Sequence, residues 1–115
     1  IIMIYTEFEA GGKTYKLRLN TRNIIKLEKL LGCNPITIFI DENGKEKTSL
    51  EVETMVNVLY AALQAFHSDI TLEQTYDIFD NWIDDGHILS EFVAVIVKVY
   101  QESGLFKKVN KSEKN

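Results

Sequence analysis

Cys33, His67 and His87 are the side chains best suited to metal or nucleophile chemistry, because the chain has one cysteine and two histidines. No two of them fall at the C-x2-C or H-x3-H spacing that lets neighbouring side chains share one ion. A metal site is therefore not expected, and both histidines read as surface or capping groups near helix ends. As a nucleophile Cys33 would need a positioned base, and the sequence names none. Its place between Gly32 and Asn34-Pro35 predicts a semi-buried structural thiol instead.

Carboxylates offer two further possibilities. Asp41 and Asn43 are oxygen donors two residues apart, as at the start of a calcium loop. Such a loop needs glycine at its sixth position and glutamate at its twelfth, whereas Gly44 is fourth and Val52 falls at the twelfth. An Asn43-Gly44 turn is the better reading. Asp77, Asp80 and Asp84 recur at helical spacing, with Asp85 beside them, and so form an acidic stripe. The plainest meaning is a solvated face opposite Tyr76, Phe79 and Ile83. A contact surface for a basic partner is the functional alternative, with Asp77, Asp80, Trp82 and Asp84 as candidate partner-binding residues, since tryptophan is enriched among interface anchors. Paired carboxylates for hydrolysis would need a cleft that the sequence does not predict. No catalytic residue and no cofactor is assigned, and an enzyme is not expected.

The elements that must position these groups fit one domain. The chain has 115 residues, 45% hydrophobic and 26% charged, enough apolar material for a single core. Seventeen acidic against 13 basic residues give a net charge of −4, which opposes the phosphate contacts that dominate nucleic-acid affinity. A DNA-reading helix-turn-helix over Thr21 to Phe39 also fails, because Ile36, Thr37, Ile38 and Phe39 offer no fork for base edges. One cysteine cannot form an internal disulfide, and Ile1-Ile2-Met3-Ile4 is too short for a signal or a span, so a reducing cytoplasm is expected and no membrane. Met3 is the expected start of translation.

Alternation from Tyr5 to Leu19 around Gly11-Gly12 predicts a β-hairpin over about 4–19. At Asn20 the period changes to that of a helix, predicted over 21–31, with Asn20 as N-cap, Ile24, Leu27 and Leu31 on its apolar face, and Gly32 ending it. Asn34-Pro35 opens a short helix over 35–40. Thr48-Ser49-Leu50-Glu51 and Thr71-Leu72-Glu73-Gln74 have the form of capping boxes, opening helices over 49–67 and 72–85. Leu72, Tyr76, Phe79 and Ile83 should form the inner face of the second of these. Ser90 caps a last helix over 90–103, apolar nearly all round and so expected at the centre of the fold, and Gly104 stops it. The fold class is α+β, mostly α: an N-terminal hairpin packed on about four helices plus one short helix, a single domain over 1–108, with a mobile polar tail over 109–115.

The order of these features resembles the tail assembly chaperones of long-tailed bacteriophages and prophages of Gram-positive bacteria. Tyr15-Lys16-Leu17-Arg18-Leu19-Asn20-Thr21, Leu27-Glu28-Lys29-Leu30-Leu31-Gly32 and Asn34-Pro35 with Phe39 carry the resemblance. Leu59 and Leu63, Ile70-Thr71-Leu72-Glu73 and Glu102-Ser103-Gly104-Leu105-Phe106 support it, and together they span nearly all of Tyr5 to Lys108. The resemblance implies a non-enzymatic protein of the infected cell's cytoplasm, absent from the mature virion. It would bind the tape measure protein, keep it soluble and recruit tail tube protein, with self-association favoured by the many weak contacts an extended client offers. Gly32, Asn34, Pro35 and Phe39 match the family motif as architecture. Many such proteins also have a longer product made by programmed frameshifting, and this chain would match the short form. Phe106 codons end in T or C, which removes a strict slippery heptamer across Phe106-Lys107-Lys108 and leaves other placements open. The runner-up is a small acidic adaptor or regulatory domain that binds another protein through the Asp77 stripe.

Overall fold

Strands β1 (Thr6–Ala10) and β2 (Lys13–Leu17) pair antiparallel with Thr6 opposite Leu17 and Ala10 opposite Lys13. Only Gly11 and Gly12 separate them, at φ 59° and 79°, the paired left-handed conformation that matches a two-residue turn to the twist of the strands. The computed structural model describes residues 4–107. The readings of Met3 as the start and of 109–115 as a mobile tail lie outside the described residues. Two strands alone are marginal in water, so the hairpin must be held from outside. In β2 the Lys16 N–H donates to His67 Nε2 at 3.0 Å, and just after it the Arg18 N–H donates to the Ala62 carbonyl at 2.9 Å. The Leu19 N–H donates to Ser103 Oγ, and at the tip the Gly11 N–H donates to Asp85 Oδ2, each at 2.9 Å. Thr6, Phe8 and Ala10 then face inward together with Leu17 and Leu19.

Helix α1 (Thr21–Leu31) begins where Asn20 Oδ1 accepts the Asn23 N–H at 3.0 Å and ends at Gly32, whose φ of 71° is left-handed. Asn34 caps the next element in the same way, and Pro35 starts a 3₁₀ turn, Pro35–Phe39. In the following loop Asp41 Oδ1 accepts from the Asn43 and Lys45 amides at 2.8 and 2.9 Å, which fixes a turn and occupies the carboxylate.

Helices α2 (Val52–Leu63), α3 (Leu72–Asp84) and α4 (Glu91–Glu102) complete the fold, which is the α+β class expected, with a hairpin, four helices and one short helix. The expected capping boxes behave differently from one another. At Thr71 both bonds form, with Gln74 N–H to Thr71 Oγ1 at 3.1 Å and Thr71 N–H to Gln74 Oε1 at 2.8 Å. At Thr48 the box does not open the helix: residues 48–51 are not helical, Glu51 is itself the extended N-cap and pairs with Lys47 Nζ at 3.1 Å, and α2 starts at Val52 and not near residue 49. It ends at Leu63, short of His67, as Gln64 Nε2 turns to the Ile70 carbonyl at 3.0 Å. Ser90 is helical in conformation and makes no cap bond; Glu91 Oε1 accepts the Ile88 N–H at 2.9 Å in its place.

The centre of the fold is α2 and not α4, which corrects the expectation from apolar content. Met55, Val56, Val58, Leu59, Ala61, Ala62 and Leu63 are all buried, because α1, α3, α4 and β2 pack around them. Ala61 and Ala62 let those neighbours approach closely. Helix α4 buries Phe92, Ile96, Val99 and Tyr100 and leaves Ala94 and Lys98 exposed. The inner face of α3 is also rotated from its expected position: Thr75, Ile78, Phe79 and Trp82 are buried, while Tyr76 is exposed. Burying Thr75 is inexpensive because its hydroxyl donates to the Thr71 carbonyl at 2.9 Å. Among the described residues no helix is long and apolar enough to cross a membrane.

Candidate functional site

The surface between α2 and α3 holds an open groove of about 360 Å³. Val56 and Phe79 form its buried floor, Val52 and Tyr76, each 45% exposed, its walls, and Glu53, Asn57 and Asp80 its polar rim. Spacing explains the construction. Val52 and Val56 are one turn apart on α2, as are Tyr76 and Asp80 on α3, so each helix gives a consecutive pair to the trough. A second trough, of about 430 Å³, lies on the other side of the α2 start, between Leu50 and Met55 below and Leu89 and Val93 above. Ile88, 64% exposed, precedes it. Both troughs have polar groups at the rim and are left uncovered by the chain's own described elements.

The stripe residues separate into two groups. Asp77, Asp80 and Asp84 are exposed, and among the described residues none of them makes an ion pair. Trp82 is only 4% exposed, so it is a core residue and not a displayed anchor. Its ring packs against Phe8, Phe79 and Phe92 at 6.0, 5.8 and 5.3 Å, and His87 stacks on it at 4.4 Å with an interplanar angle of 4°. Asp85, beside the stripe, is spent on the hairpin tip.

Across residues 6–115 the chain matches the model of a family of unknown function, DUF6096. The chain belongs to DUF6096. No curated protein and no solved structure matches it. The matched span contains the hairpin, all four helices and both troughs of this DUF6096 protein, so the surface just described lies within the family region.

In this DUF6096 chain Gly32, Asn34, Pro35 and Phe39 form a joint. Gly32 reverses the chain after α1, Asn34 caps the 3₁₀ turn, and Pro35 is buried in it. Tyr100 of α4 donates its hydroxyl proton to the Pro35 carbonyl at 2.9 Å, and its ring meets Phe39 at 5.8 Å and Phe106 at 5.2 Å. Burial pushes the Tyr100 phenol well above the ordinary tyrosine range, with the nearby Cys33 thiol adding in the same direction. Cys33 itself is exposed, not semi-buried, and follows the left-handed Gly32.

The histidines also have positions that account for them. His67 accepts from Lys16 and meets Tyr15 edge-on at 5.5 Å, which joins the end of α2 to the hairpin. His87 Nδ1 lies 3.3 Å from Glu91 Oε2. The Ile88 N–H, followed by His87, holds the Glu91 carboxyl below its usual value. The bond to Glu51's own backbone amide, then Lys47, does the same at Glu51. Among the described residues no group of three or more His, Cys, Asp or Glu is placed to hold a metal ion.

Sequence reading did not find Val52, Glu53, Val56 and Asn57 as site residues. It placed Tyr76 on the core side of α3. The available signal was excess: each helix has more apolar positions than one packed face uses, and Tyr76 follows Thr75, which takes the buried place.

Proposed function

We propose that this protein is a non-enzymatic chaperone of phage tail assembly that binds the tape measure protein, keeps it soluble and assists addition of tail tube protein. The observation that carries the reading is the pair of apolar troughs on either side of the start of α2, which no element of the described chain covers. A long helical client has apolar faces that are unsatisfied until assembly, and open troughs between helices accept such faces in the helix-in-groove manner. The order of motifs from Tyr15 to Phe106 supplies the phage assignment. On this reading the protein works in the host cytoplasm, releases its client as tube subunits polymerise and is left out of the virion. Weak contacts repeated along the client favour chaperones that self-associate.

Co-expression tests it. The soluble fraction of the cognate tape measure protein should rise several-fold when this chain is present, and the two should co-purify; a client equally insoluble with and without it overturns the proposal. The unpaired carboxylates of α3 favour a second reading, an acidic adaptor for another protein. Gene neighbourhood discriminates: a tube gene upstream and a very long coiled-coil gene downstream belong with the chaperone.

A further inference from the structure

Charge is not spread evenly over this molecule. Helices α2 and α3, which build the first groove, carry Glu53, Glu73, Asp77, Asp80 and Asp84 and not one lysine or arginine. Glu53 and Asp80 stand on the rim itself, above an apolar floor, and among the described residues neither has an ion-pair partner. A trough with low-dielectric walls and charge of one sign focuses its field on whatever enters. We propose that the α2–α3 groove is a docking site for an amphipathic helix whose apolar ridge is flanked by lysine or arginine.

The geometry sets the roles. Apolar side chains one turn apart on the incoming helix enter between Val52 and Tyr76 and rest on Val56 and Phe79. Basic residues beside that ridge then reach Glu53 on the α2 side and Asp80 on the α3 side. The carboxylates select for basic helices and exclude acidic ones, and like charge at the rim rejects a wrong partner more strongly than opposite charge rewards the right one. The trough is open along the helices and its polar groups lie at the edge, which suits a helix better than an enclosed small molecule. The inference rests on the chaperone reading for the client's identity and on the groove alone for its chemistry.

Two labelled synthetic helices test this, each about 18 residues long to hold helical structure. They share one leucine ridge, flanked in the first by lysine and in the second by glutamate. Fluorescence anisotropy with the full chain should show saturable binding of the lysine helix, weakening as salt rises, and no binding of the glutamate helix. The pair Glu53→Lys and Asp80→Lys should weaken the lysine helix about tenfold, because two exposed contacts become repulsive, and should admit the glutamate helix. Glu42→Lys, the same charge change as either groove substitution alone but in the exposed loop after the 3₁₀ turn, should leave affinity within about twofold. Tyr76→Ser should weaken binding without altering the circular dichroism spectrum or the melting midpoint.

Absence of binding by a monomeric chain, or equal loss from Glu42→Lys and from the groove pair, overturns the proposal. A second copy as occupant overturns the reading of a separate partner and not the groove's preference for a basic helix, because α1 carries Arg22, Lys26 and Lys29 around the exposed Ile25. Oligomers that dissociate in the groove pair while the lysine helix fails to bind the wild type would assign the groove to α1 of a neighbour. If the synthetic helix binds but the tape measure protein is not solubilised, the groove chemistry stands and the phage assignment falls; the reverse result separates them the other way.

Discussion

Tyr100 shows how one side chain gives a sequence motif its physical meaning. Its hydroxyl is buried and directed at the Pro35 carbonyl, and its ring closes over Phe39, so the Asn34-Pro35…Phe39 pattern is held by a residue more than 60 positions away. Tyr100→Phe leaves that buried carbonyl without a donor and should destabilise the fold by about 1–3 kcal/mol, read as a lower urea midpoint at neutral pH. The ionised phenol is disfavoured in the fold, so the folded pKa lies above the unfolded one. Stability from this group is therefore fully present below the ordinary tyrosine value of about 10 and is lost as pH rises through the folded value. Wild-type protein should lose stability as pH rises above about 10, and Tyr100→Phe should lose less. Equal alkaline slopes in the two would show that Tyr100 does not set this limb. The sequence contained the motif and the tyrosine but no sign that they meet, because a contact across such a separation leaves no local trace.

Elements were legible where a local bond decides the boundary and obscure where a competing partner does. Asn20, Gly32, Asn34, the Gly11-Gly12 turn and the Thr71 box act within a few residues, and each is where the sequence places it. Thr48 to Glu51 has the same form as the Thr71 box but stays non-helical, with Glu51 as the N-cap of α2 and paired with Lys47. Burial was harder still. Helix α4 reads as apolar nearly all round, yet α2, the more apolar of the two, occupies the centre with α1, α3, α4 and β2 around it. The hairpin tip allows a test at this scale. Gly12 is left-handed and a Cβ there meets nothing within 4 Å, so Gly12→Ala should cost only the conformational strain of about 1–2 kcal/mol. At Gly11 a Cβ would also lie 3.1 Å from Asn81 Nδ2, beside the bond to Asp85. Gly11→Ala should therefore lower the urea midpoint more than Gly12→Ala does. Equal losses would mean that the tip is not held against α3.

At the scale of the whole molecule, stability and surface chemistry are carried by different residues. The core runs from Phe8 through Trp82, Phe79 and Phe92 and along α2, and every side chain in it is buried. Val52 and Leu89 are exposed at the two troughs and contribute little to that packing. Replacing a core residue of similar size would cost about 2–5 kcal/mol, whereas Val52→Asp with Leu89→Asp should change stability by no more than about 1 kcal/mol, as surface substitutions do. The same double substitution puts a charge into each trough, where a docking apolar face would have to desolvate it. The variant should therefore fold and melt as the wild type does, yet fail to raise the soluble fraction of a co-expressed tape measure protein. Undiminished solubilisation by the double variant would place client contact elsewhere on the molecule. Loss of both folding and solubilisation would instead mean that these residues belong to the core, against their exposure in the structure. The acidic stripe could be read from spacing alone, since Asp77, Asp80 and Asp84 are covalently close; the troughs could not, because each exists only once α2 has been set beside α3 or α4.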